Sequence, residues 1–188
     1  MQNVYEVCPI FENEKYILRL VREEDCQDLL KVYSDKAAVP FFNGDNCNGD
    51  DFYYATEERM KQAIDFWIFS YREGYFVRWC IIDKEKSEAI GTIELFHRDA
   101  DDYFPECGLL RLDIRSDYEK ASEIESILSL IITPTFDMFY CHKIATKAIP
   151  DASERICALQ AMNFVLSDKK LVGNDGTEYG DYFILEER

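Results

Sequence analysis

The stretch Glu106-Cys-Gly-Leu-Leu-Arg-Leu-Asp-Ile-Arg-Ser-Asp-Tyr-Glu-Lys-Ala-Ser-Glu-Ile-Glu-Ser-Ile-Leu-Ser-Leu-Ile-Ile-Thr-Pro-Thr-Phe136 decides the fold. Glu106–Ile114 reads as an apolar strand, a short polar turn follows, and a helix is expected from about Lys120 to Met138. Ile124, Ile127, Leu128, Ile131 and Thr135 mark the inner stripe of that helix, and Pro134 should kink or interrupt it. A strand–turn–helix junction is a place where phosphates bind, because a helix start presents unpaired N–H groups and a partial positive charge. Here the junction is Glu119-Lys-Ala-Ser-Glu-Ile124, with no glycine and two carboxylates.

Upstream, Tyr75–Asp83 and Ala89–His97 read as two more strands, separated by the turn Lys84–Glu88. An acidic loop, Arg98–Pro105, leads into Glu106–Ile114. Connections this short imply an antiparallel meander. Downstream, Lys143–Ile149 reads as a strand joined to Glu106–Ile114 through the long helix, which predicts a parallel, right-handed crossover. Pro150-Asp-Ala-Ser-Glu154 reads as a helix start, with Asp151 as N-cap and Glu154 completing a capping box. That helix ends near Asn163, whose position suits a left-handed cap. Phe164–Asp168 and Tyr179–Glu186 read as a final hairpin across the loop Gly173–Thr177.

Toward the N-terminus, Lys15–Arg22 alternates as a strand, and Glu23–Ser34 carries the helical stripe Cys26, Leu29, Leu30, Tyr33. Asp35–Thr56 contains Pro40, Gly44 and Gly49 and reads as a long loop. Its Phe41, Phe42, Phe52, Tyr53 and Tyr54 suit either a substrate wall or packing over the core. Glu57–Arg72, with Met60, Ala63, Ile64, Trp67, Ile68 and Tyr71 on one face, is the clearest helix, and Gly74 supplies its stop.

The 188 residues suit one domain spanning 1–188, with a core over about 15–186, and 47% apolar and 14% aromatic residues favour a packed globule. No apolar run is long enough for a membrane span, and the N-terminus lacks a signal-peptide pattern, so a cytoplasmic location is expected. Seven scattered cysteines without a C-x-x-C pair, and only His97 and His142, argue against a zinc site or other metal. A formal charge of −16 disfavours nucleic acid and anionic membranes and suits a cationic partner such as an amine or basic peptide.

The order of elements, with Leu18-Arg-Leu-Val-Arg-Glu-Glu-Asp25, Ile90-Gly-Thr-Ile-Glu-Leu95, Cys141-His-Lys-Ile144 and Ile149-Pro-Asp-Ala-Ser-Glu-Arg-Ile-Cys-Ala-Leu-Gln-Ala-Met-Asn-Phe164, resembles the GNAT superfamily of acyl-CoA-dependent N-acyltransferases. It looks most like the branch that holds the ribosomal-protein and other N-terminal acetyltransferases. The resemblance implies an α+β fold: a mostly antiparallel sheet with a central parallel, splayed strand pair, flanked by helices. It also implies acetyl-CoA as co-substrate, a small-molecule or peptide amine as acceptor, and it allows a homodimer.

In that family the pantetheine arm pairs with the splayed strand, a role that falls here on Leu112, Asp113 and Ile114. The pyrophosphate rests on the turn, here Glu119, Lys120, Ala121, Ser122, Glu123 and Ile124. The family's Arg/Gln-x-x-Gly-x-Gly/Ala pattern is replaced at Glu119, Ser122 and Ile124. Ser122 is small enough to replace a glycine in part, whereas Ile124 is not. Glu119 and Glu123 oppose a phosphate by like charge, and Lys120 offsets part of this. Coenzyme A is therefore expected to rely on pantetheine pairing more than on the turn.

A strand glutamate serves as general base in some members. By spacing this matches Glu106, and Glu94 on the neighbouring strand is a second candidate, whose pKa would rise if it faced inward. The family's leaving-group tyrosine corresponds to Leu159, leaving Tyr140 or Cys157 as substitutes, and Ala152 replaces a helix-leading asparagine. Two readings stay open: an N-acetyltransferase acting on a primary amine, and a GNAT-fold binding or interaction module that has lost transfer chemistry.

Overall fold

In the computed structural model, which describes residues 3–187, the chain runs through β1 (Phe11–Glu12), β2 (Tyr16–Leu20), α1 (Cys26–Tyr33), α2 (Glu57–Arg72), β3 (Val77–Asp83), β4 (Glu88–Arg98), β5 (Cys107–Ile114), α3 (Ala121–Leu128), α4 (Ile132–Met138), β6 (Lys143–Lys147), α5 (Ser153–Ala161), β7 (Val165–Leu166), β8 (Leu171–Val172), β9 (Glu178–Tyr179) and β10 (Tyr182–Glu186). An eight-stranded sheet has the order β1-β2-β3-β4-β5-β6-β10-β7. The meander β3-β4-β5 is antiparallel and β5-β6 is parallel, as the connection lengths predict.

Alternation along each strand sorts the side chains onto two faces. Trp79, Ile93, Leu95, Leu110, Leu112 and Ile114 pack beneath Ile124, Ile127 and Leu128 of α3 and Ala158 and Leu159 of α5. The opposite face carries Cys80 and Ala89 against Leu29 and Tyr33 of α1 and Met60, Ile64 and Trp67 of α2. Burying each such Leu, Ile or Phe contributes roughly 1.5–3 kcal/mol before entropy is counted. Gly91 is required where β4 crosses β5, because a Cβ there would lie 2.2 Å from the Asp113 carbonyl oxygen.

α2 keeps the bounds read from its stripe, and the Thr56 side chain accepts from the Arg59 N–H to cap it. Asn163 adopts φ 67°, the left-handed cap expected of it.

Three expectations need correction. The helix after β5 is two helices, because the chain tightens at Leu130 and Ile131 into bonds to residues three back. The break lies ahead of Pro134, which then sits in the first turn of α4, where its missing N–H leaves no bond unmade. The last helix begins two residues later than Asp151: the Ala152 N–H bonds the Ile149 carbonyl in a turn, Ala152 takes the N-cap position without a side-chain bond, and Glu154 makes no capping box. Finally, the last two predicted strands do pair, as β7 and β10, but the segment between them is more than a hairpin loop: it carries a separate ribbon of β8 and β9 closed by Gly173–Thr177, and β10 pairs with β6 as well.

Candidate functional site

The parallel pair is zipped only part of the way. Cys107, Gly108, Leu109 and Leu110 pair with Lys143, Ile144, Ala145 and Thr146. Beyond that point β5 continues through Arg111–Ile114 while paired only to β4, and β6 turns its last residue, Lys147, to Tyr182 of β10. The two strands part, and the edge of β5 from Arg111 to Ile114 is left without a strand on that side. Backbone groups in such a gap need partners.

Side chains fill the gap from both faces. From the α5 side, the Arg155 guanidinium donates from Nη1 to the Leu112 carbonyl oxygen and the Phe41 carbonyl oxygen, both at 2.9 Å. Its Nε and Nη2 form a fork onto Glu119, at 2.8 and 2.7 Å. Arg155 is 3% exposed, so these bonds are charge-assisted and sheltered. From the other face, Asp45 of the long loop binds Lys147 of β6 at 2.7 Å and accepts from Tyr182 at 3.0 Å, while its carbonyl oxygen accepts from Arg111 of β5 at 2.8 Å. The loop thereby ties together the two strands that have lost each other.

The turn before α3 is sparing of free anion-binding groups. Lys120 is exposed, as is Ser122. The Ala121 N–H, the first of α3, donates at 2.8 Å to a Glu154 carboxylate oxygen from α5. Glu123 turns away to Lys15 at 3.2 Å and to the Tyr16 hydroxyl. The Tyr16 bond lowers the Glu123 pKa, against a smaller upward push from burial, and Lys15 adds to the lowering. Ile124, read from the sequence as a bulky obstacle in the turn, is fully buried in the core and points away from it.

On the α1/α2 face lies a buried ionic cluster. Arg78 Nη1 reaches the Tyr33 hydroxyl and Thr92 Oγ1 at 3.0 Å and Asp113 at 3.1 Å, and Nη2 pairs with Glu94. Arg111 binds the other Glu94 oxygen at 2.6 Å. Two guanidinium groups thus offset two carboxylates, and Trp67 stacks 4.2 Å from the Arg78 guanidinium carbon. Burial pushes Glu94 up, but Arg78 and Arg111 together outweigh it and hold the carboxyl below its ordinary value. The inward-facing Glu94 was expected to have a raised pKa, and the two arginines reverse that expectation. Asp113 shifts the other way: burial dominates, Arg78 and the Tyr33 hydroxyl oppose it, and nearby Glu94 adds to the rise. A cavity of about 300 Å³ opens beside the cluster, walled by Phe52, Tyr54, Trp67 and Phe76 and floored by Glu94 and Arg111.

The other candidates are scattered. Glu106 is exposed, with φ 46°, just ahead of the zipped end of β5. Five residues of extended chain, roughly 16 Å, separate it from Arg111, where the strands part. Tyr140 is 76% exposed and precedes β6, also at the zipped end. Leu159 is buried in the core and Cys157 is exposed on α5. His97 bonds the Phe139 carbonyl oxygen and His142 bonds Glu187, each at 2.7 Å. Among the described residues, no group of three or more His, Cys, Asp or Glu is placed to hold a metal ion.

Arg155, Asp45, Arg78 and Arg111 were not singled out from the sequence. Arg78 carried a signal, a lone charge inside the apolar run Val77–Ile82. Arg155 carried none, since a single arginine in a short helix is ordinary.

A meander leading into a parallel pair that parts beside a helix start is the architecture of an acetyltransferase (GNAT) domain, and the sequence agrees. The acetyltransferase (GNAT) domain family matches residues 15–162, most of the chain, and the protein belongs to that family. Its fold is shared with the ribosomal-protein-S5-alanine acetyltransferase of Vibrio fischeri (20% identity, TM-score 0.67, 94% of each chain). It is shared also with the Salmonella typhimurium acetyltransferase that modifies the N-terminal serine of ribosomal protein L7/L12 (14% identity, TM-score 0.68, 96% of this chain and 100% of that one). A third similar structure is a ribosomal L7/L12 α-N-protein acetyltransferase in complex with coenzyme A (14% identity, TM-score 0.70, 95% of this chain and 98% of that one). No curated protein sequence matches the chain.

Tested against an acyl-CoA arm, the residues fit in one respect and resist in another. The unpaired edge of β5 offers backbone for the arm, whereas the Leu112 carbonyl oxygen is already taken by Arg155.

Proposed function

We propose that this protein transfers an acetyl group from acetyl-CoA to the primary α-amine of a peptide or small molecule. The observation that carries the reading is the parting of β5 and β6 beyond Leu110 and Thr146, in a chain that matches the GNAT family over residues 15–162. Acetyl-CoA supplies an activated thioester carbonyl. The backbone of Leu112, Asp113 and Ile114 would hold its arm, the turn Glu119–Ile124 would lie beside its phosphates, and the aromatic-walled cavity would seat the acceptor.

Glu94 and Glu106 are the candidate proton acceptors. Glu94 is favoured, since it lines the cavity and Glu106 stands at the far end of β5. Glu94 shares its charge between two arginines and is held below its ordinary pKa, so it orients an amine better than it deprotonates one. Such a site acts on amines that are already partly neutral. At neutral pH an α-amine, with an ordinary pKa near 7.7–8.0, has roughly a few hundredfold more free base than a lysine side chain near 10.4. The names of the similar structures, which include acetylation of N-terminal serine and of an α-N-protein position, agree with this choice.

The test is coenzyme A thiol release with acetyl-CoA and paired peptides, one with a free N-terminus and one with a blocked N-terminus and a free lysine. At least tenfold faster turnover of the free N-terminus is expected. Equal rates would refute the α-amine assignment, and no turnover with any amine would refute transfer.

The second reading, a GNAT-fold binding module without transfer chemistry, is favoured by one observation: the family's leaving-group tyrosine corresponds to Leu159, which is buried in the core. Turnover that is lost in Glu94→Gln, with the fold intact, would remove it.

A further inference from the structure

Two consecutive residues of α5 sit where the two halves of an acyl-CoA would lie. Arg155 donates to Leu112, the strand carbonyl that the pantetheine arm would use, and is clamped by Glu119 and the Phe41 carbonyl oxygen. Glu154 places a carboxylate on the Ala121 N–H, the first free donor of α3, where a phosphate would rest. Resting on the acyl-CoA reading above, we propose that the first turn of α5 is a built-in occupant of the groove, so that acyl-CoA binds by displacing Glu154 from α3 and Arg155 from β5.

The groups present explain why the occupant is stable. Four of the five guanidinium N–H groups of Arg155 have carbonyl or carboxylate partners, its two Nη1 donors spanning β5 and the long loop. The fork onto Glu119 neutralises a carboxylate that is itself only 8% exposed. Glu154 supplies the negative charge that a helix start favours. Ligand binding must exchange these bonds for its own. The exchange is feasible because a pyrophosphate can replace Glu119 as the partner of Arg155, bidentate acceptor for bidentate acceptor. Arg155 would then join Lys120 as a second cation beside the turn, opposing the negative charge of Glu119, Glu123 and Glu154. The device distinguishes two ligands that share an arm: coenzyme A, which brings phosphates for Arg155, and pantetheine, which brings none.

The experiment is calorimetric titration of the full chain with coenzyme A and, separately, with pantetheine. The variants are Glu154→Gln, Arg155→Ala and the double variant Arg155→Ala/Glu119→Gln. The double variant removes the buried carboxylate that Arg155→Ala alone would leave unpaired, and Glu154 is exposed, so Glu154→Gln tests the idea even if Arg155→Ala fails to fold. Glu154→Gln should tighten coenzyme A by about threefold to tenfold and leave pantetheine unchanged. The double variant should tighten pantetheine by at least threefold and lose the preference for coenzyme A over pantetheine. Coenzyme A binding to the wild type with no tightening in Glu154→Gln, and no change of preference in the double variant, overturns the built-in occupant alone. No binding to the wild type or to any folded variant overturns both this inference and the acyl-CoA reading beneath it.

Discussion

The two ends of β5 make opposite arrangements for the same backbone. At Cys107–Leu110 the strand is paired on both sides, to β4 and to β6. At Arg111–Ile114 it is paired on one side only, and the other side is served by Arg155 and by the loop residue Asp45 through Arg111. The zipped end is mostly apolar, with Cys107, Leu109 and Ala145 in a small core with Phe104 and Tyr182, and the Arg98–Asp102 ion pair closes the loop ahead of it. The open end holds the buried ions Arg78, Glu94 and Asp113 on one face and Arg155 with Glu119 at its edge. A sheet that parts must satisfy its backbone with side chains, and those side chains bring charge into the interior, where every charge then needs a partner. The open end is therefore the place least tolerant of substitution.

That contrast can be broken most strongly at its ionic centre. Arg78→Met removes the cation paired with Asp113 and one of the two paired with Glu94, and it should cost about 3–5 kcal/mol in urea unfolding. A loss of only about 1 kcal/mol, as for an exposed ion pair, would mean that the cluster is not sealed. Next come two glycines. Gly91→Ala, at the register of Ile114, meets the Asp113 carbonyl oxygen at 2.2 Å and should cost about 3 kcal/mol, because backbone must move. Gly108→Ala, at the zipped end, meets Cys141 Sγ and Thr135 Cγ2 at 3.1 Å and should cost about 1 kcal/mol, because those side chains can shift. The reverse order would locate the rigid end wrongly.

Acid should act on the zipped end. Burial raises Asp102, but the Arg98 fork and the N–H groups of Val172 and Phe104 outweigh it and bring its pKa down to about 2 from an ordinary 3.8. A carboxyl lowered on folding contributes stability above its unfolded pKa and loses it as pH falls through its folded one. About 2 kcal/mol should therefore disappear between pH 4 and pH 2. Urea midpoints of the wild type should fall over that window more than those of Asp102→Asn, and parallel curves would exclude the clamp. As small as the Gly108→Ala effect, Thr56→Ala should remove the cap of α2 for about 1 kcal/mol, leaving both ends of β5 untouched.

Much of the frame was legible before the structure. The apolar alternation of β3, β4 and β5 and the stripe of α2 follow from local periods, so they could be read from short windows. The candidate site was legible only in outline. Leu112–Ile114 do lie on the parted edge, and Glu119 and Lys120 do lead into α3, with Ala121–Ile124 as its first turn. What each of those residues touches was not legible. Glu119 looked like a charge opposing a phosphate and is half of a buried ion pair, and Ile124 looked like an obstruction and is core. Glu154 looked like a cap for its own helix and caps α3 instead.

By itself the sequence determined the order of the elements, the antiparallel meander, the parallel crossover and the membership of an acyltransferase family. These depend on residue periodicity, connection length and motif order, all of which are properties of neighbouring positions. Tertiary structure alone decided where β5 and β6 part, after Leu110 and Thr146, and that Arg155 reaches back to Glu119 across 36 positions while Arg111 reaches Asp45 across 66. The physical reason is that a charge in the interior is settled by whichever opposite charge or carbonyl lies within about 3 Å once the chain is folded, and separation along the chain carries no record of that distance.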